Sequence, residues 1–285
     1  MRLNAFFPSL DIGTDPIKIR DWAQAAEDLG YAYIEVPDHV FGAKARGGWT
    51  PLYNEKDAFH ETFVALGFLA AVTERIGLSS GILIAPQRQT GLIAKQAAEV
   101  DVLSGGRLRL GIGLGWNHVE YEALDAEWKT RGARQAEQVE VLRRLWSQDL
   151  VSFTGRFHNL RDVSIVPPPV QRPIPIWFGG SSDAVLTRAA RLGDGWMPIM
   201  KPDAQAEHAL GRLREQLRSF GRDDAKFGIE AWLRMDAPDP QRWAAAADGW
   251  CRLGADMVML YPMYRIARLD EHIETLRRFK EVAAR

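Results

Sequence analysis

The chain reads as an α/β protein folded as a (β/α)8 barrel. Three observations carry that reading. Eight short apolar runs alternate with eight amphipathic stretches from one end to the other. Several of these runs are apolar on both faces, as strands of a parallel sheet covered on both sides must be. The length of 285 residues, with 46% hydrophobic and 26% charged side chains, suits a single barrel domain over residues 1–285 and rules out disorder. A doubly wound open sheet with an appended domain is the alternative that the same alternation allows.

Leu3–Phe7 is the first strand. Asp15-Pro16 then opens a helix over Ile17–Leu29, with an N-cap residue, a proline in the first turn and Gly30 at the end. Ala32–Val36 is the second strand, followed by a helix over Phe63–Thr73, a strand over Gly77–Ile84 and a helix over Leu92–Leu103. After the strand Leu108–Ile112, the helix Arg131–Trp146 sets Val139, Leu142, Leu145 and Trp146 on one stripe. The strands Ile174–Phe178, Gly195–Ile199, Phe227–Leu233 and Met257–Leu260 alternate with helices over Asp183–Leu192, Ala204–Phe220, Gln241–Leu253 and Asp270–Ala283.

Two insertions break the rhythm. Phe41–His60, rich in Gly, Pro and charge, follows the second strand. Loops after strands lie on the catalytic face of a barrel, so this one is expected to cover the site. Asp149–Arg172 reads as a hairpin around Thr154-Gly155 and then a stiff strap through Pro167-Pro168-Pro169.

Charge and composition exclude several classes. Lys and Arg total 36 against 37 Asp and Glu, a formal charge of −1. No bulk positive field is left to hold a nucleic acid or an anionic membrane. The N-terminal apolar run ends at Asp11, too early for a secretory signal, so a cytoplasmic location is expected. Cys251 is alone, and the histidines at 39, 60, 118, 158, 208 and 272 lack metal-ligand spacing, so neither a disulfide nor a metal site is expected.

Four motifs fall at strand ends. Asp38-His39 follows the second strand, where an imidazole beside a carboxylate that holds its tautomer suits proton transfer; a capping Asp next to an exposed His is the plainer alternative. Gly81-Ile82 ends the third strand, where glycine lets backbone approach a flat ligand, or forms a β-bulge. Gly111-Ile112-Gly113-Leu114-Gly115-Trp116-Asn117 resembles a dinucleotide fingerprint, but Trp116 stands where the last glycine belongs and no acidic residue follows a second strand. What survives is main chain able to lie against a cofactor, with Trp116 stacking on a ring or packed in the core. Gly179-Gly180-Ser181 leads into a helix whose free backbone N–H groups suit a phosphate, or into an ordinary capped turn.

These pieces, taken in order with Arg75–Leu78, Ala94–Gln96, Leu103–Arg107, Arg131–Arg134 and Gly193–Trp196, resemble the bacterial-luciferase-like superfamily of flavin and deazaflavin oxidoreductases. The resemblance runs from about residue 3 to residue 280. It implies a homodimer binding FMN or the deazaflavin coenzyme F420, with no nucleic-acid or membrane partner. Residue by residue it implies that Asp38 bonds the deazaflavin ring and that His39 is the acid/base beside it. Gly81-Ile82 matches a bond that is cis in many relatives, and Gly179, Gly180 and Ser181 match the phosphate turn. Gly113, Gly115, Trp116 and Asn117 complete the expected cofactor set. Some sugar-phosphate dehydrogenases of the superfamily carry a glutamate where Trp116 stands, so that substrate class is not implied. The Asp-His pair points to coenzyme F420 and hydride transfer with a small organic substrate. An FMN-dependent monooxygenase is the alternative, and a barrel that binds the coenzyme without turnover is the non-enzymatic one.

Overall fold

In the computed structural model, which describes residues 1–222 and 226–283, the chain alternates strand and helix as expected. In order come β1 (Arg2–Phe6), α1 (Pro16–Asp28), β2 (Tyr33–Val36), α2 (Thr62–Val72), β3 (Gly77–Ser80), α3 (Thr90–Leu103) and β4 (Leu108–Ile112). Then follow α4 (His118–Ala123), α5 (Arg131–Ser147), β5 (Val151–Thr154), β6 (Asn159–Val163), β7 (Ile176–Gly179) and α6 (Asp183–Leu192). The chain closes with β8 (Gly195–Met197), α7 (Ala204–Ser219), β9 (Gly228–Met235), α8 (Pro240–Leu253), β10 (Met257–Pro262) and α9 (Leu269–Ala283).

Eight of the strands form a closed barrel in the order β1-β10-β9-β8-β7-β4-β3-β2, every neighbouring pair parallel. The open-sheet alternative is thereby excluded. β5 and β6 pair outside the barrel as the expected hairpin. All five residues of β4 are buried, the charged Arg109 among them. The start of α1 is fixed as the sequence implies: Asp15 accepts from the Ile17 amide at 2.9 Å, and Pro16 fills the first turn.

Two differences bear on the site. β3 stops at Ser80 instead of Ile84, and the Gly81–Ile82 peptide that follows is cis, as the resemblance implied. The Ile84 amide donates to Asp38 Oδ2 at 2.8 Å, out of the ladder. The short helix α4 was not expected; Asn117 caps it, accepting from the Val119 and Glu120 amides.

The core lies in two places. Outward-facing strand residues pack on the helices, with Trp22, Trp146, Trp196, Trp243 and Trp250 among the largest fully buried side chains. A second cluster of Trp177, Met197, Trp232, Met257, Met259 and Tyr261 fills the barrel interior, the last three at period two along β10. Beneath it Arg109 pairs with Glu35 and Glu230 and lies over the rings of Tyr33 and Trp177 at 4.1 and 4.4 Å. Among the described residues no helix is long and apolar enough to cross a membrane.

Candidate active site

The C-terminal ends of the strands bring the predicted motifs to one mouth, but with different partners from those the sequence suggests. Asp38 does not hold His39. It is 4% exposed, and its oxygens accept from Thr62 Oγ1 at 2.9 Å, the Ile84 amide at 2.8 Å and Arg88 Nη2 at 2.6 Å. Asp38 therefore ties the end of β2 to α2 and to the segment after β3.

The carboxylate that holds His39 is Glu120, from α4. His39 Nδ1 lies 3.2 Å from Glu120 Oε2, and Glu120 Oε1 accepts from the amides of Val40 and Phe41. Gln87 Nε2 donates to the same carboxylate at 3.4 Å. Burial of Glu120 disfavours its charge, but the bonds from His39 and the two amides outweigh this and hold its pKa below the usual 4.5. An ionised carboxylate on Nδ1 selects the tautomer with its proton there, leaving Nε2 without a partner among the described residues. The rings of Phe59, Tyr53 and Trp116 stand 4.7, 5.5 and 5.5 Å from the imidazole, edge to face. Phe59 and Tyr53 belong to the Phe41–His60 insertion, and Tyr53 is bonded to Tyr261 of β10, so the insertion does pack over His39.

Sequence reasoning missed Glu120. Its one signal, Asn117 followed three residues later by Glu, reads as a capping box in which the Glu turns back to its own helix. Here it reaches across to the segment after β2 instead.

Two of the glycines make room for a side chain. A Cβ on Gly113 would stand 1.9 Å from Ile82 Cδ1, and one on Gly179 would stand 2.7 Å from the same atom. The hollow at the ends of β4 and β7 is thus occupied by the Ile82 side chain. Ile82 is only partly buried and packs on the interior cluster, forming an apolar ridge at the mouth. Asn117, 2% exposed, is committed to capping α4. Trp196 is fully buried outside the barrel and does not border the mouth; its Nε1 donates to Gly180 O at 2.6 Å.

Gly180, at φ +110°, turns the chain from β7 into α6. Ser181 and Ser182 at this turn are exposed, and Ser182 makes no capping bond. Nearby, three arginines crowd together without acidic partners among the described residues: Arg131 and Arg134 at the start of α5, and Arg188 on α6. The Nε atoms of all three are buried and unbonded. A Cβ on Gly132 would meet Arg188 Nη1 at 3.2 Å and Leu114 Cδ1 at 3.9 Å, which places the cluster beside the end of β4. Burial and the charge of Arg131 hold the Arg188 pKa below its usual value. Unneutralised guanidiniums beside the end of β4 fit an anionic group, while the uncapped start of α6 carries Asp183 in its first turn, paired with Arg212.

Comparison with known proteins gives the family. The luciferase-like monooxygenase family matches residues 3–283. The chain belongs to that family. It is 31% identical over 233 residues to an F420-dependent glucose-6-phosphate dehydrogenase of Kineococcus radiotolerans, covering 79% of this chain and 66% of that one. It is 34% identical over 218 residues to an FMNH2-dependent dimethylsulfone monooxygenase of Pseudomonas putida, covering 75% and 57%. In structure it is similar to a monooxygenase from Streptomyces bottropensis, with TM-score 0.84, 22% identity and coverage of 100% and 99%. The family is one of oxidoreductases and monooxygenases, with both F420- and FMN-dependent members.

Proposed function

We propose that this protein is an oxidoreductase that moves hydride between coenzyme F420 and a small organic substrate. The observation that carries the reading is His39, held on Nδ1 by an ionised carboxylate and walled by aromatic rings. When bound, the coenzyme supplies hydride chemistry, its deazaflavin ring having carbon where FMN has N5. The residues that would hold it fit. Ile82 offers the ring an apolar ridge. Arg131, Arg134 and Arg188, beside the end of β4, offer positive charge to the anionic end.

His39 Nε2 gives up or receives the proton that accompanies the hydride, while Glu120 keeps the ring in the tautomer for that role. Tyr53, Phe59 and Trp116 keep water from the transfer. Three unneutralised arginines favour F420, whose phosphodiester and tail carboxylates carry charge over a longer span than the single phosphate of FMN.

Fluorescence titration of the purified chain with F420 and with FMN tests this. F420 is expected to bind, and Arg188→Gln to weaken it about tenfold, the loss of one charge-assisted bond. His39→Ala should keep coenzyme affinity while turnover falls at least ~100-fold. Tight FMN binding without F420 binding overturns the proposal. It would favour the second reading, an FMN-dependent monooxygenase, which the 34% identity to the Pseudomonas enzyme supports. Binding with no turnover in either variant or wild type would favour a carrier.

A further inference from the structure

The inner face of β9 reads Glu230, Trp232, Arg234 from the barrel floor to the mouth, because Ile229, Ala231, Leu233 and Met235 pack outward against the helices. Glu230 is paired with Arg109, and Trp232 lies in the interior cluster. Arg234 is the one exposed residue of the strand. A strand buried along its length thus ends on the catalytic face with a cation.

The neighbours of that cation are phenols. In the parallel register Arg234 stands beside Tyr261, which is bonded to Tyr53 of the Phe41–His60 insertion. Burial raises the pKa of both phenols, and the charge of Arg234 pulls on both in the opposite sense, so the guanidinium lies close to the pair. The acidic groups nearby are engaged elsewhere. Asp236 pairs with Arg242, and Asp11 and Asp57 pair with Arg265, which leaves Arg234 without a carboxylate among the described residues.

The phenols keep their protons at neutral pH, and their mutual bond uses one hydroxyl hydrogen, whichever ring donates it. The second hydroxyl hydrogen is left over beside the guanidinium. A planar guanidinium fork with one more donor next to it matches a flat, singly charged carboxylate. A phosphate, with a charge near −2, calls for more than one arginine.

The remaining wall is aromatic. The Tyr53 ring stands 5.5 Å from the His39 imidazole, 5.0 Å from Phe59 and 6.2 Å from Trp116. One tyrosine therefore joins the cation to the imidazole, its hydroxyl on the Arg234 side and its ring against His39.

We propose that Arg234 receives the carboxylate of an organic acid whose apolar body lies among Tyr53, Phe59 and Trp116, with its reacting carbon at His39. The carboxylate takes no part in the chemistry; it fixes which carbon meets the imidazole. That the acid is the substrate rests on reading this mouth as the active site, whereas its binding does not.

Calorimetric titration of the coenzyme-free chain at pH 7 tests the binding. 3-Phenylpropionate is expected to give saturable heat, and 3-phenylpropionamide, the same shape without charge, to bind at least about tenfold more weakly. Arg234→Gln should bring the acid down to the level of the amide, and Arg234→Lys should restore part of the difference. A crystal soaked in 3-(4-bromophenyl)propionate should show the carboxylate on Arg234 and the bromine among the aromatic rings. Absence of saturable heat with the acid overturns the proposal. So does an amide that binds as well as the acid, an Arg234→Gln variant that binds as wild type does, or a soaked acid found beside Arg131 and Arg188. Titration with F420 is read separately, so loss of the coenzyme reading and loss of the carboxylate site are distinct results.

Discussion

Glu120→Gln keeps the shape of the group that holds His39 and removes its charge. Turnover is expected to fall at least ~10-fold, because the imidazole loses the charge that holds its tautomer, with coenzyme affinity unchanged. Acid titration separates this from a packing defect. The Glu120 pKa is lowered in the fold, so its contribution to stability is present above the unfolded value of 4.5 and lost as pH falls through the lower folded one. Thermal melts from pH 6 to 3 should therefore fall more steeply for wild type than for the Gln variant.

Glu35 shows the opposite sign. Burial and the neighbouring Glu230 raise its pKa well above 4.5, against the pull of Arg109. Two carboxyls facing one guanidinium keep a proton, which supplies the donor that Glu35 Oε2 and Glu230 Oε1 otherwise lack. Below pH 4.5 both folded and unfolded states hold that proton. As pH rises, the unfolded chain gives it up first, and stability declines towards the folded pKa. Glu35→Gln should remove that decline and be at least as stable as wild type at pH 7, by melting temperature. A Gln variant that unfolds at pH 7 would show that Glu35 is charged.

Neither glutamate was legible in the sequence. The partner of Glu120 lies 81 residues away, and its spacing from Asn117 imitates a cap. Glu35 and Arg109 sit in strands whose apolar neighbours decide the pattern. Asp38 and His39 were legible as a motif because both stand at a strand end. Their partners were not, because those come from α2, α4 and the chain after β3.

At the level of elements, the glycines of β4 divide by what a methyl group would strike. On Gly111 it would meet the backbone oxygen of Ser80 at 2.2 Å, and on Gly113 the Ile82 side chain alone, its terminal methyl at 1.9 Å and Cγ1 at 3.0 Å. Gly111→Ala must push β3 and β4 apart and should cost ~2 kcal/mol or more, read as a melting temperature several degrees lower. Gly113→Ala can be relieved by a turn of the Ile82 side chain, so the fold should survive while the ridge shifts and coenzyme binding weakens. Equal loss of stability in both variants would contradict the Ile82 packing. The sequence marked these glycines as special without saying for what. A glycine that admits a neighbour's side chain and one that admits a ligand are written with the same letter.

For the whole molecule, the barrel was legible because parallel strands buried on two faces leave near-continuous apolar runs, and helices bury one stripe each. What lies outside the barrel is less constrained, and there the surface shows a patch no element covers. On α3, Leu92 and Leu103 are 51% and 59% exposed; eleven residues apart, they fall on one helix face to within about 20°. The proline strap runs alongside. Lys95 Nζ donates to Val166 O at 2.8 Å and Gln171 Nε2 to Asp101 Oδ1 at 2.7 Å, and Val166 and Val170 are 74% and 59% exposed between these anchors. Exposed apolar side chains along one helix face and on the strap beside it suit an interface. We propose that a second copy of the chain covers this face, as the resemblance to a dimeric superfamily implies. Light scattering should report about twice the 32.0 kDa chain mass. Val166→Asp together with Leu103→Asp should return it to one chain, with the proposed coenzyme site on the strand ends still binding. A monomeric wild-type protein, or a dimer indifferent to both substitutions, would assign the patch to some other partner.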